Sequence, residues 1–107
     1  KCLQIYTEEE WGNIADKLSG LPVTTDSNAR AFVRQFFGTA ASCEVDKQRR
    51  ILLNKKHIDY AGLTKDIVLV GANTKIEVWS KTRWDEYNES VAQNIIIEGL
   101  AKYNLSI

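Results

Sequence analysis

The stretch Glu44-Val45-Asp46-Lys47-Gln48-Arg49-Arg50-Ile51-Leu52-Leu53 joins two short apolar runs through a charged turn. Between positions 47 and 56 lie five of the fourteen Lys and Arg residues of the chain, namely Lys47, Arg49, Arg50, Lys55 and Lys56. One acid, Asp46, stands at the edge of this cluster. Because the formal net charge of the chain is zero, any binding to a polyanion has to be local, through this patch.

Length and composition indicate one globular domain. The chain has 107 residues, of which 44% are hydrophobic and 26% charged, so it can bury a core without disulfides or metals. No run approaches the ~18 apolar residues of a membrane span, and residues 1–5 are too short and too polar for a signal peptide. Two cysteines, Cys2 and Cys43, are typical of reduced thiols in a cytosolic protein. We therefore expect a cytoplasmic protein that has no membrane partner.

The hydrophobic pattern predicts alternating strands and helices. A strand at 2–6 runs into a helix that is capped by Thr7 with Glu10 and closed by Gly20, and a second helix covers 27–37. Further predicted elements are an extended segment at 39–45, a strand at 50–53, a short helix at 55–61, a fully buried strand at 66–71, a strand at 75–79 and one long helix at 81–103. The tail, 104–107, is expected to fray.

An internal repeat organises these elements. Residues 3–7, Leu-Gln-Ile-Tyr-Thr, are followed by Trp11, and residues 76–80, Ile-Glu-Val-Trp-Ser, are followed by Trp84, with a constant offset of 73. Both copies predict a strand that ends in an aromatic residue and runs into a hydroxyl-capped helix. Residues 39–74 precede the second copy, whereas nothing precedes the first. We therefore expect that the chain lacks most of a first repeat, about 35–40 residues that would include a first copy of the charged turn.

The charged turn has the chemistry of a DNA contact. Duplex DNA is a dense polyanion, a two-stranded ribbon can enter its major groove, and arginine can bind guanine O6 and N7 through two parallel hydrogen bonds. Lys47, Arg49 and Arg50 lie on or beside the turn of such a ribbon, and Lys55 with Lys56 follows at a helix start. Asp46 would be repelled by phosphate, so it is expected to accept from turn amides or to orient Arg50. The open alternative is a solvated hairpin tip.

Catalysis and metal binding have little support in the sequence. His57 is the single histidine, which disfavours a zinc site, and Cys43 has no histidine near it in the sequence. No glycine-rich phosphate loop is present. We expect no enzymatic activity, no metal, no cofactor and no small-molecule substrate. The apolar helix face formed by Phe32, Val33, Phe36 and Phe37 is typical of core, with subunit contact as the alternative.

Several motifs resemble the MraZ family, which belongs to the wider AbrB-like group. They are Cys2-Leu3-x-Ile5-Tyr6, Glu10-Trp11, Ala29-Arg30-x-x-x-Arg34, Asp46-x-x-x-Arg50-Ile51-Leu52-Leu53, Ala61-Gly62-Leu63, Val68-x-x-Gly71 and Ile76-Glu77-Val78-Trp79. The resemblance implies an α+β protein with an AbrB-like swapped-hairpin β-barrel made from two pseudo-symmetric repeats with flanking helices. It divides the chain into the end of a truncated first repeat (1–10), a helical connection (11–38), a second repeat (39–83) and a C-terminal helix and tail (84–107).

The same resemblance implies a function. Family members are transcriptional regulators of the cytoplasm and nucleoid that bind short direct repeats in double-stranded DNA, upstream of the bacterial cell-division and cell-wall gene cluster, as ring-like homo-oligomers. Two positions depart from the family pattern: Arg49 stands where glycine is usual, and Asn54 where proline is usual. Arg49 would be strained if its φ is positive, or would add a phosphate contact, and Asn54 is expected to loosen the helix start. An oligomerising protein-interaction module with a degenerate DNA-binding turn is therefore the alternative.

Overall fold

The computed structural model describes residues 1–91 and 93–104. These residues form helices and one sheet, joined by segments without regular secondary structure. In chain order the elements are β1 (Leu3–Ile5), α1 (Glu8–Ser19), α2 (Ser27–Gly38), α3 (Lys55–Ala61), β2 (Ile67–Ala72), β3 (Lys75–Ser80), α4 (Lys81–Ser90) and α5 (Gln93–Lys102). The protein is therefore α+β. No helix in the described part is long and apolar enough to cross a membrane.

The three strands form an antiparallel sheet in the order β1-β3-β2, so the two copies of the repeat pair with each other. The pairs are Leu3 with Val78, Gln4 with Glu77 and Ile5 with Ile76. Since Gln4 and Glu77 occupy the same position of the repeat, exchanging the two strands leaves this register unchanged. A local pseudo-two-fold axis therefore passes through the Gln4–Glu77 pair.

The helix caps repeat in the same way. Thr7 Oγ1 accepts a hydrogen bond from the backbone N–H of Glu10 at 3.1 Å, and Ser80 Oγ accepts one from the N–H of Arg83, also at 3.1 Å. Each bond joins the N-cap to the third helical residue, which satisfies a donor that the helix itself leaves free. The hydroxyl residues thus start α1 and α4 at equivalent points, as the repeat predicts.

The aromatic residues of the repeat pack beside their strands. The ring centroids of Tyr6 and Trp11 are 6.1 Å apart, and those of Trp79 and Trp84 are 5.5 Å apart. Trp11 also stacks on Phe36 of α2 at 5.2 Å, which joins the two long helices. These contacts lie in the offset range in which aromatic pairs attract each other.

The buried core is small. Ala61 at 0% and Val78 at 2% exposure are its fully buried apolar residues among those described. The predicted full burial of β2 is wrong, because Ile67 is 45% and Leu69 64% exposed. Within the described residues β2 lies at an edge of the sheet, and its exposed and half-buried residues alternate, so that no layer covers one of its apolar faces there. The radius of gyration, 16.9 Å, exceeds the ~13 Å of a compact domain of this size.

The predicted strand at 50–53 is not formed within the described residues. Segments 40–45 and 51–54 have no regular secondary structure and flank the charged turn as two arms. The N–H of Asp46 donates to the carbonyl of Arg50 at 2.9 Å, and no further backbone ladder joins the arms in the described part. An isolated two-stranded ribbon is marginal in water, so these apolar runs need neighbouring strands to become a sheet.

The predicted long helix at 81–103 is wrong as one element. α4 ends at Ser90, Val91 has extended dihedral angles (φ −86°, ψ 106°), and α5 begins at Gln93. Ser90 Oγ donates to the carbonyl of Tyr87 at 2.6 Å, a local bond that competes with helix continuation. The β-branched side chain of Val91 also favours an extended backbone. Most of the tail expected to fray, 105–107, lies outside the described residues.

Candidate nucleic-acid interface

The carboxylate of Asp46 organises the charged turn. Its Oδ1 accepts from the backbone N–H groups of Gln48 and Arg50, each at 2.8 Å. The carbonyl of the same residue accepts from the N–H of Arg49 at 3.0 Å. Asp46 thus closes the turn through both its side chain and its backbone, and the acid is directed at the protein's own amides.

The same carboxylate holds one arginine. Arg50 Nε lies 3.4 Å from Asp46 Oδ2, with 71% and 48% of the two side chains exposed. A surface pair of this kind contributes only about 0–1 kcal/mol to stability, so its effect is mainly on orientation. Asp46 contacts Nε, and within the described residues the two terminal nitrogens of Arg50 make no contact, so they can donate to a ligand in parallel.

Arg49 occupies the left-handed region of backbone space. Its φ is +62°, where a side chain other than glycine or asparagine costs about 1–2 kcal/mol. The backbone angle that glycine would adopt without cost is therefore adopted here by arginine. The side chain of Arg49 is exposed, and within the described residues it makes no hydrogen bond or ion pair.

The remaining lysines lie in different settings. Lys47 is exposed at the turn. Lys55 Nζ lies 3.4 Å from Asp59 Oδ2, one helical turn away on α3, so part of its charge is compensated. Lys56 lines the broad groove beside the arms. The structure thus brings Lys47, Arg49 and Arg50 together in one turn, and places Lys55 and Lys56 on the first turn of α3.

Asn54, which was expected to loosen the start of α3 relative to proline, is the N-cap of this helix. Its side chain accepts from the N–H of His57 at 2.8 Å, which is the N-cap arrangement that asparagine favours. The ring Nε2 of His57 lies 2.6 Å from the carbonyl oxygen of Thr39 and, with that carbonyl as acceptor, donates to it. The single histidine therefore ties the start of one arm to α3.

The far end of α3 is held by Arg83, a contact that the sequence pattern did not reveal. Arg83 Nη1 donates to the carbonyl of Tyr60 at 3.0 Å. Gly62 caps the helix at φ +64°, and a Cβ at this position would lie 2.7 Å from the Arg83 guanidinium. The Ala61-Gly62-Leu63 motif was the available signal, but only the fold brings α4 against it.

An apolar groove runs beside the arms. It is lined by side chains from β1, α1, α2, α3, β3 and both arms, among them Ile5, Trp11, Phe36, Ile51, Leu53 and Ile76. Phe32, from the apolar face of α2, also lines it and is 53% exposed.

The Cys2 thiol is the titratable group with a shifted pKa among the described residues. Burial, and then the nearby Glu77 carboxylate, raises the pKa of this thiol. Among the residues described, no group of three or more His, Cys, Asp or Glu side chains could hold a metal ion.

These observations define a class of protein: an α+β chain with a local pseudo-two-fold axis that presents a basic turn, hydrogen-bonded by Asp46, between two arms without regular secondary structure. Comparison with known sequences defines the family. Residues 36–102 match the family described as "MraZ protein, putative antitoxin-like", and the chain belongs to this family.

Relatives match over most of the chain. It is 48% identical to "Transcriptional regulator MraZ" of Desulforamulus reducens over 102 residues, covering 89% of this chain and 71% of the relative. It is 45% identical to the protein of the same name in Acetivibrio thermocellus, covering 92% and 73%. The identity with that of Heliobacterium modesticaldum is 44%, covering 97% and 73%.

Proposed function

We propose that this protein is a sequence-specific, DNA-binding transcriptional regulator. The observation that carries the proposal is the turn closed by Asp46, which presents Lys47, Arg49 and Arg50 on a backbone held by hydrogen bonds. Relatives with 44–48% identity are named transcriptional regulators. A basic, preorganised ribbon tip is suited to the major groove of duplex DNA.

Within the turn the cationic residues take different tasks. Arg50, held through Nε by Asp46, has the orientation control that bidentate binding of guanine requires. Lys47 is exposed and suited to the phosphate backbone, which supplies affinity without sequence information. Lys55 and Lys56 add positive charge at the start of α3 and strengthen the approach to DNA.

The proposed assembly is a homo-oligomer of AbrB-like barrels. The self-symmetric β1–β3 pairing, the unladdered arms and the exposed apolar residues support it. Leu52 is 89% and Leu69 64% exposed, and an oligomer that buried these side chains would gain hydrophobic stabilisation. A ring-like oligomer would present several copies of the turn, so tandem direct repeats would be bound with avidity even though one chain has no net charge.

In the cell we place this regulator in the cytoplasm, on the nucleoid, at the promoter of the division and cell-wall gene cluster. A gel shift of the full chain on DNA from its own upstream region, at 50 mM and 200 mM salt, tests the proposal. We expect binding that weakens by at least tenfold at the higher salt and is lost in Lys47→Ala/Arg50→Ala. Lys65→Ala, beyond the far end of α3, is the charge control and should bind normally.

An oligomer of normal size that shifts no DNA at either salt would contradict the proposal. That result would favour the alternative, an oligomerising protein-interaction module whose DNA-binding turn has degenerated.

A further inference from the structure

Arg49 raises the conformational free energy of its turn above that of the same turn with glycine at this position. At φ +62° glycine has no steric cost and asparagine has little, whereas arginine is strained. The turn itself is held by Asp46 through the amides of Gln48 and Arg50 and by the N–H of Arg49. None of these bonds uses the Arg49 side chain, so any residue with a backbone N–H could make them.

The side chain of Arg49 also has no role inside the protein. Within the described residues its guanidinium forms no hydrogen bond and no salt bridge, and the residue is exposed. The neighbouring acid, Asp46, is already engaged by Arg50. Residues 46–50 contain one acid and three bases. Arg49 therefore lies in a segment of net positive charge. Strain that persists without an internal benefit indicates a benefit in a complex.

Comparison with Arg50 indicates what kind of chemical group the Arg49 side chain binds. A guanidinium that distinguishes bases has to be held in one orientation, and Asp46 provides this at Arg50 Nε. Arg49 has no such support. A guanidinium that has no partner within the described residues and lies on an exposed turn is suited to phosphate, whose oxygens accept from many directions and carry full negative charge.

We infer that Arg49 binds a backbone phosphate of the DNA duplex beside the base-reading Arg50, and that its left-handed backbone is retained for this sequence-independent contact. The inference rests on the proposed DNA binding. It assigns adjacent residues of one turn to two tasks: Arg49 contributes affinity, and Arg50 contributes selectivity.

The test compares Arg49→Gly, Arg49→Asn and Arg49→Lys with the wild-type full chain. Gly and Asn remove the charge and tolerate the left-handed backbone, whereas Lys keeps both the charge and the strain. Binding is measured by fluorescence anisotropy between 0.05 and 0.2 M salt, with a duplex from the protein's own promoter and a scrambled duplex of equal composition. Lys65→Ala serves as the charge control, and thermal midpoints verify that each variant is folded.

We expect Gly and Asn to lower the slope of log K against log salt by about 0.9 for each turn that contacts DNA. This equals a loss of about eightfold per contact at 0.1 M salt. The preference for promoter over scrambled DNA should stay within twofold of wild type, Arg49→Lys should keep the slope, and Gly should not lower the thermal midpoint.

Unchanged slopes in both Gly and Asn variants, with wild-type binding intact, would overturn the phosphate contact and leave the proposed function standing. A tenfold or larger fall in promoter preference would also overturn it, because Arg49 would then read bases. A wild-type chain that binds neither duplex would refute the proposed function, and this inference with it.

Discussion

Replacing Gly62 by alanine should destabilise the protein through two separate effects. The glycine has φ +64°, where an alanine costs about 1–2 kcal/mol. The added Cβ would also lie 2.7 Å from Cζ and Nη2 of Arg83. That guanidinium has to move, and its hydrogen bond to the carbonyl of Tyr60, 3.0 Å long, contributes about 0.5–1.5 kcal/mol. Allowing for the smaller unfolded-state entropy of alanine, the net loss is about 2 kcal/mol.

Urea denaturation followed by tryptophan fluorescence measures this loss, and a thermal midpoint lower by about 10 °C would accompany it. The matched control is Gly12→Ala, in the middle of α1, where a Cβ meets nothing within 4 Å and should add about 0.5–1 kcal/mol of stability. In an Arg83→Ala background, Gly62→Ala should cost about 1 kcal/mol less than in wild type. Equal costs in both backgrounds would show that Arg83 is not the obstacle, and a cost below 0.5 kcal/mol would refute the backbone argument.

Two further predictions concern the arms and the thiols. Asn54→Ala removes the N-cap bond to His57, 2.8 Å long, and should lower the free energy of unfolding, measured by urea denaturation, by about 1 kcal/mol. Asn54→Ser should retain most of the wild-type stability. An unchanged midpoint for the alanine variant would show that the N-cap bond does not stabilise the protein. Alkylation with iodoacetamide at pH 8 should modify exposed Cys43 before half-buried Cys2, because burial raises the Cys2 pKa and leaves less thiolate. Peptide mass spectrometry measures both rates, and faster labelling of Cys2 would contradict the burial.

Local signals in the sequence were sufficient for most elements. Thr7 and Ser80 each precede helical periodicity, and both cap helices in the structure, because a hydroxyl that bonds an amide three residues away needs no distant partner. The constant offset of 73 predicted equivalent strands, although it gave no indication that these strands pair with each other. The errors lie where neighbours decide: β2 is an edge strand rather than buried, and residues 50–53 lack the ladder that would make them a strand.

Some features of the candidate site follow from the local sequence, and others depend on tertiary packing. Sequence alone determined that the cationic residues cluster at 47–56 and that Asp46 is suited to turn amides, since these are properties of neighbouring residues. The structure shows that Arg49 adopts φ +62° in the turn closed by Asp46, whereas tertiary packing alone decided that His57 ties the arm at Thr39 and that Arg83 closes the far end of α3. The last two contacts join residues 18 and 23 positions apart, and no local propensity specifies such distances, because they depend on how the sheet and helices pack.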